Sequence, residues 1–122
     1  MGARIVIVED EQIIAVDLES RLKRLGHEVF GIAGTGQEGV AMAKKYQPDL
    51  VFMDVRLQGE MNGIQAAAAI RAVAKIPIIF VTAFADALRR DIEETQPLSV
   101  YLKKPFSAAE LKDALSAALD GA

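Results

Sequence analysis

Four short stretches of this chain are apolar: Ile5-Val6-Ile7-Val8, Leu50-Val51-Phe52-Met53, Ile78-Ile79-Phe80-Val81 and, more weakly, Val100-Tyr101-Leu102. A strand with one face in water alternates apolar and polar side chains, so unbroken runs of this length describe strands covered on both faces, as in a parallel sheet. Val29 to Ala33 is a further run, less apolar and therefore expected at an edge. Between the runs lie segments of helical length and spacing, with Ile14, Leu18, Leu22 and Leu25 in the first and Leu111, Leu115, Ala118 and Leu119 in the last. The middle segments, around Val40 to Tyr46 and Ile64 to Ala74, are alanine-rich and compatible with helix. Boundaries are marked as well: Gly26 suits the position after a helix, Asn62 and Asp86 suit N-caps, and Ser107 with Glu110 has the offset of a capping box. Strand and helix thus alternate in the manner of an α/β doubly wound sheet, with helices on both faces.

The 122 residues suit one domain, expected to span 1–122, and a 52% hydrophobic content supplies its core. A net charge of -3 with scattered basic residues argues against nucleic-acid binding, which depends on clustered Lys and Arg neutralising phosphates. The absence of cysteine excludes disulfide frameworks, thiolate metal sites and cysteine nucleophiles. No apolar run approaches the roughly 20 residues of a membrane span, and the first residues lack a signal-peptide pattern. A soluble, cytoplasmic protein without membrane contact is expected.

The chemistry lies in where the polar residues fall. Glu9-Asp10-Glu11 follows the first run, Asp54 ends the one beginning at Leu50, Thr82 ends the one beginning at Ile78, and Lys104 follows the last. Strand ends on one edge of an open α/β sheet converge on a crevice at the topological switch point. Three carboxylates gathered there repel by roughly 4 kcal/mol per contact at ~4 Å and an effective dielectric of about 20. A hard divalent cation with oxygen ligands answers this charge, and Mg²⁺ is usual where carboxylates, waters and a phosphate share the octahedron. A carboxylate, a cation, a lysine and a hydroxyl around one point are what phosphoryl transfer to an acyl oxygen requires. Each residue taken singly has a plainer explanation. An Asp after a strand favours turns, first-turn acids complement a helix dipole, Thr is a common strand residue, and Lys is usually a solvated charge. Their joint occurrence at four strand ends is what points to a site.

At these positions the sequence resembles the receiver domains of two-component response regulators over essentially its full length. The matching pieces are Val8-Glu9-Asp10-Glu11, Met53-Asp54-Val55, Asn62-Gly63-Ile64, Val81-Thr82-Ala83 and Lys103-Lys104-Pro105-Phe106. The resemblance implies a flavodoxin-like five-stranded parallel sheet in the order 2-1-3-4-5. It implies that Asp54 is the phosphoacceptor, and that Glu9, Asp10, Asp54 and the backbone carbonyl of Arg56 hold Mg²⁺. Thr82 is then the switch hydroxyl, Lys104 pairs with the phosphate, Lys104-Pro105 is a cis peptide, and Tyr101 is the switch aromatic, whose alternative role is a half-packed strand aromatic.

Three features depart from the common pattern. The loop after Asp54 is one residue longer than usual and lacks a proline, and Glu9 stands where aspartate is frequent, a longer arm that reaches a metal through water. Arg56 and Phe84 flank the expected path of the hydrolytic water and are expected to prolong the acyl phosphate. His27, the one histidine, precedes a strand and reads as a turn residue rather than a phosphodonor.

The resemblance therefore implies a binding module controlled by phosphorylation, with self-catalysed gain and loss of phosphate rather than turnover of an outside substrate. Its partners are a histidine kinase or histidine phosphotransfer protein, and a downstream effector protein or attached output domain. A homodimer is open as well, through Leu88 and Ile92 of the helix expected before the fifth strand, that strand and the last helix. Two other readings compete. A phosphohydrolase with an aspartyl-phosphate intermediate ordinarily needs a second carboxylate where Arg56 stands, and a pseudo-receiver keeps the fold without the chemistry.

Overall fold

The apolar runs become strands because neighbouring segments cover both of their faces, and the pleat divides each run between two cores. The computed structural model describes residues 2–83 and 100–120. Its strands are β1 (Arg4–Val8), β2 (Glu28–Ala33), β3 (Leu50–Asp54), β4 (Ile78–Thr82) and β5 (Val100–Lys103). The helices are α1 (Gln12–Arg24), α2 (Gly36–Tyr46), α3 (Gly63–Val73) and, following β5, α4 (Ala108–Asp120). All strand pairs are parallel, and the sheet order is β2-β1-β3-β4-β5. The helix expected after Thr82, with Asp86, Leu88 and Ile92, lies outside the described residues.

Ile5 and Ile7 of β1, Leu50 and Phe52 of β3, and Ile79 and Val81 of β4 join Leu18 and Leu22 of α1 and Leu111 and Leu115 of α4 in one core. The alternate residues Val6, Val8, Val51, Met53, Ile78 and Phe80 join Ala66, Ala67 and Ile70 of α3 and Ala43 of α2 in the other. β2 lies at the edge, as its mixed composition predicts, and its ladder with β1 shifts register between Ile5 and Val6.

Helix ends follow the residues that mark them. Asn62 and Gln65 form a reciprocal capping box, and so do Ser107 and Glu110, whose side chains each accept the other's backbone N–H. Thr35 caps α2 by accepting from Glu38 N–H at 3.1 Å, in the same three-residue offset. Gly26 has φ +92 just past the end of α1, a conformation that favours glycine. Leu25, whose spacing suggests an apolar face, is instead the C-cap and is 37% exposed, because the helix ends before that turn can pack. At the N-terminal edge of the sheet, Arg4 N–H donates to Asp49 Oδ2 at 2.8 Å while its guanidinium donates to Gln47 O at 2.7 Å, tying β1 to the end of α2.

Candidate functional site

The order β2-β1-β3 reverses the winding of the chain at β1 and β3, so the crevice of the switch point opens between their C-terminal ends. Glu9 and Asp10 follow β1, and Asp54 is the last residue of β3. One carboxylate oxygen from each of these three lies within 4.8 Å of the others. Glu9 and Asp54 are each 6% exposed, and Thr82 is buried at the end of β4. Such buried charges demand partners. Lys104 supplies one: Nζ is 2.5 Å from Glu9 Oε1 and 3.3 Å from Asp54 Oδ2.

Backbone hydrogen bonds hold these positions. Glu9 N–H donates to Ala33 O at 2.9 Å and carries the β1 ladder one residue further. Lys104 N–H donates to Thr82 O at 3.0 Å, which fixes the start of the Lys104 side chain beside β4. Asp54 Oδ1 accepts Arg56 N–H at 3.2 Å, and Glu9 Oε2 accepts Glu11 N–H at 3.2 Å. The Lys104-Pro105 peptide is cis. Gly63 N–H donates to Val55 O at 2.9 Å, bringing the start of α3 against the backbone of Asp54.

The electrostatics follow from burial. Desolvation and the neighbouring Asp54 carboxyl raise the Glu9 carboxyl above its ordinary range, against the opposing pull of Lys104. Desolvation works against the Lys104 ammonium too, but the Glu9 contact and the Asp54 charge outweigh it and the group is held above its ordinary value. The donor set of three convergent carboxylates, all hard oxygen ligands, fits Mg²⁺.

Thr82 and Tyr101 share a face. Phe80 is in register with Tyr101, and Thr82 follows Phe80 by two, so the pleat puts Thr82 on the side where Phe80 and the half-buried Tyr101 pack. The loop after Asp54 is anchored by Leu57 and Met61, which pack on the core of α2 and α3, and it turns at Gly59 with φ +98. Arg56 is exposed, and Phe84 lies outside the described residues. His27 sits at the N-terminal end of the sheet, just before β2, where Nδ1 accepts Ala3 N–H at 2.9 Å.

The sequence offers Lys104 as a fixed positive charge for the gathered acids, and the fold shows which acids it meets, with one ammonium bridging Glu9 and Asp54. Thr35 and Glu38 carry the same capping signal as Ser107 and Glu110, and they mark a start of α2 that the apolar pattern alone does not.

An open α/β sheet with clustered acids and a lysine at its switch point is the arrangement of the doubly wound α/β class, whose ligand crevice lies at that point. The particular family is shown by comparison: residues 5–116 match the response regulator receiver domain, and the chain belongs to that family. The transcriptional regulatory protein PdtaR of Mycobacterium tuberculosis is 40% identical over 119 residues, 95% of this chain and 56% of that protein. The phyllosphere-induced regulator PhyR of Methylorubrum extorquens is 35% identical over 121 residues, 98% of this chain and 44% of that protein. The chain thus spans about half the length of these curated relatives. Among solved structures, the receiver domain of the sensor histidine kinase PA1611 from Pseudomonas aeruginosa, with a magnesium ion coordinated in its active site cleft, is 32% identical with a TM-score of 0.86. That match covers 98% of this chain and 99% of the other.

Proposed function

We propose that Asp54 is the phosphoacceptor of this receiver domain, and that the phosphoryl group comes from a histidine kinase or a histidine phosphotransfer protein. The observation that carries the reading is the convergence of Asp54 with Glu9, Asp10 and Lys104 at the switch point. Glu9, Asp10, Asp54 and the Arg56 carbonyl would hold Mg²⁺. When bound, the ion supplies positive charge to the phosphoryl oxygens and to the acid cluster. Asp54 presents a carboxylate oxygen as nucleophile at the end of a fully buried strand, which fixes its direction. Lys104 already reaches Asp54 Oδ2, so its ammonium is preorganised to pair with the phosphate that forms there. Thr82 would donate its hydroxyl to that phosphate, and its shared face with Tyr101 gives the movement a route to the surface near β5.

The domain is regulatory, and its catalysis is confined to gaining and losing its own phosphate. Its output reaches a downstream effector or an attached output domain, in keeping with relatives that include an anti-anti-sigma factor from Bartonella quintana. We place it in the cytoplasm; among the described residues no helix is long and apolar enough to cross a membrane. Incubation with Mg²⁺ and acetyl phosphate tests the reading by intact-mass spectrometry. A gain of one phosphoryl group that disappears in Asp54→Asn supports it, and no gain in the unaltered protein overturns it.

A further inference from the structure

Lys104 can pair with a phosphate only if the turn that carries it is held in place, and that turn is packed against a helix far away in sequence. Arg21 on α1 makes three contacts that meet there. Its Nε is 3.0 Å from Asp17 Oδ2, one helical turn earlier. Its Nη1 donates to the carbonyl of Phe106 at 3.5 Å, across 85 residues of chain. Its guanidinium carbon lies 5.6 Å from the centroid of the Phe106 ring, within cation–π range. Phe106 is two residues after Lys104, across the cis Lys104-Pro105 bond.

The surroundings give this stack leverage. Asp17, Arg21 and Phe106 line both of two surface clefts, one of about 550 Å³ that Lys104 also lines and one of about 480 Å³ toward the start of α4. Below them, Phe106 and Asp54 line one small cavity of about 10 Å³. The backbone of Lys104 is held on one side by Thr82 O, and Phe106 is held on the other by Arg21. From this geometry we infer that Arg21, oriented by Asp17, is a positioning residue for Lys104: it clamps the turn after β5 to α1 and so keeps the ammonium aimed at Asp54. Lysine at position 21 would keep the charge and the Asp17 pair but lose the planar face that stacks on the ring.

The inference rests on Asp54 being the phosphoacceptor, and the test separates the two. Phosphorylation by acetyl phosphate, a donor too small to need a protein docking surface, is timed at saturating Mg²⁺, and Mg²⁺ affinity is measured by calorimetry. Arg21→Ala is expected to slow phosphorylation roughly two- to fivefold without weakening Mg²⁺ affinity, because the ammonium that Arg21 steadies competes with the ion for Glu9 and Asp54. A general loosening of the fold would weaken both. In a Lys104→Ala background the same substitution is expected to add nothing, because Arg21 acts through Lys104. Phe106→Leu, which keeps apolar volume and removes the ring face, should reproduce the defect without exposing the core. Arg21→Ala at the unaltered rate, an undiminished effect without Lys104, or a parallel loss of Mg²⁺ affinity would each overturn the clamp. Absence of phosphorylation in the unaltered protein would instead sink the reading of Asp54.

Discussion

Gly63 offers the sharpest connection between the packing of the fold and the chemistry of the site. A Cβ at this position would lie 2.0 Å from the backbone oxygen of Asp54 and 2.8 Å from the Cα of Val55. Both obstacles are backbone, and real Cβ contacts essentially never fall below 3.0 Å, so Gly63→Ala must push the start of α3 and the end of β3 apart by about 1 Å. Overpacking of this kind costs about 1–3 kcal/mol, and weakening the Gly63 N–H to Val55 O bond costs about 1 more. The lower chain entropy of alanine when unfolded returns about 0.4–1 kcal/mol. A net loss of about 1–3 kcal/mol results. At ~2.1 cal/mol/K of unfolding entropy per residue, this chain loses about 4 °C of Tm per kcal/mol, so the expected drop is roughly 4–12 °C. The displaced atoms belong to Asp54, the proposed acceptor, and a shift of about 1 Å at a reacting group is worth on the order of 100-fold in rate. Thermal unfolding by circular dichroism and the rate of phosphorylation by acetyl phosphate measure the two effects. Gly34→Ala is the matched control, since nothing lies within 4 Å of a Cβ there. If Gly63→Ala melts and reacts like Gly34→Ala, the close approach of α3 to Asp54 does not hold the site.

The remaining predictions concern charge and the lifetime of the phosphate. In metal-free buffer Glu9→Gln is expected to raise Tm, because folding raises the Glu9 carboxyl and the ionised form weakens the fold. Its stabilising contribution is full below the unfolded value of 4.5 and lost as pH rises through the folded value, so the variant's advantage should open with rising pH. Saturating Mg²⁺ should reverse the order, since binding to the native state stabilises it by mass action. Asp49→Asn should lower Tm at neutral pH. Asp49 is held below its ordinary range, chiefly by Arg4 N–H, so its contribution is present above pH 3.8 and fades as pH falls through the folded value. The Arg56→Asn, Phe84→Ala double variant should lose its acyl phosphate faster than the unaltered protein when the phosphodonor is removed. Equal half-lives would discard the idea that these side chains obstruct water.

Much of this was legible because hydrophobic continuity and strand-end chemistry are local signals. Ile5 to Val8 and Leu50 to Met53 announce strands covered on both faces, and the acids fall immediately after them. Ser107 and Glu110 announce a helix start within four residues of sequence. Contacts made by the fold across long separations were not legible. Arg4 with Asp49, Arg21 with Phe106 and Lys104 with Glu9 join residues 45, 85 and 95 apart, and no periodicity encodes such pairs. Gly63 stands in a motif in the sequence, but its reason is the backbone of Asp54, which only packing reveals. Leu25 shows the opposite failure, a correct apolar spacing that continues one step past the last turn able to use it.

The most direct measurement is the location of the phosphoryl group. The protein is labelled with acetyl phosphate and Mg²⁺, the acyl phosphate is reduced with borohydride to an alcohol, and the altered residue is found by peptide mass mapping. The reduced side chain should occur at residue 54 and vanish when EDTA replaces Mg²⁺. Modification at Glu9 or Asp10 instead, or labelling that survives in Asp54→Asn, would contradict the account.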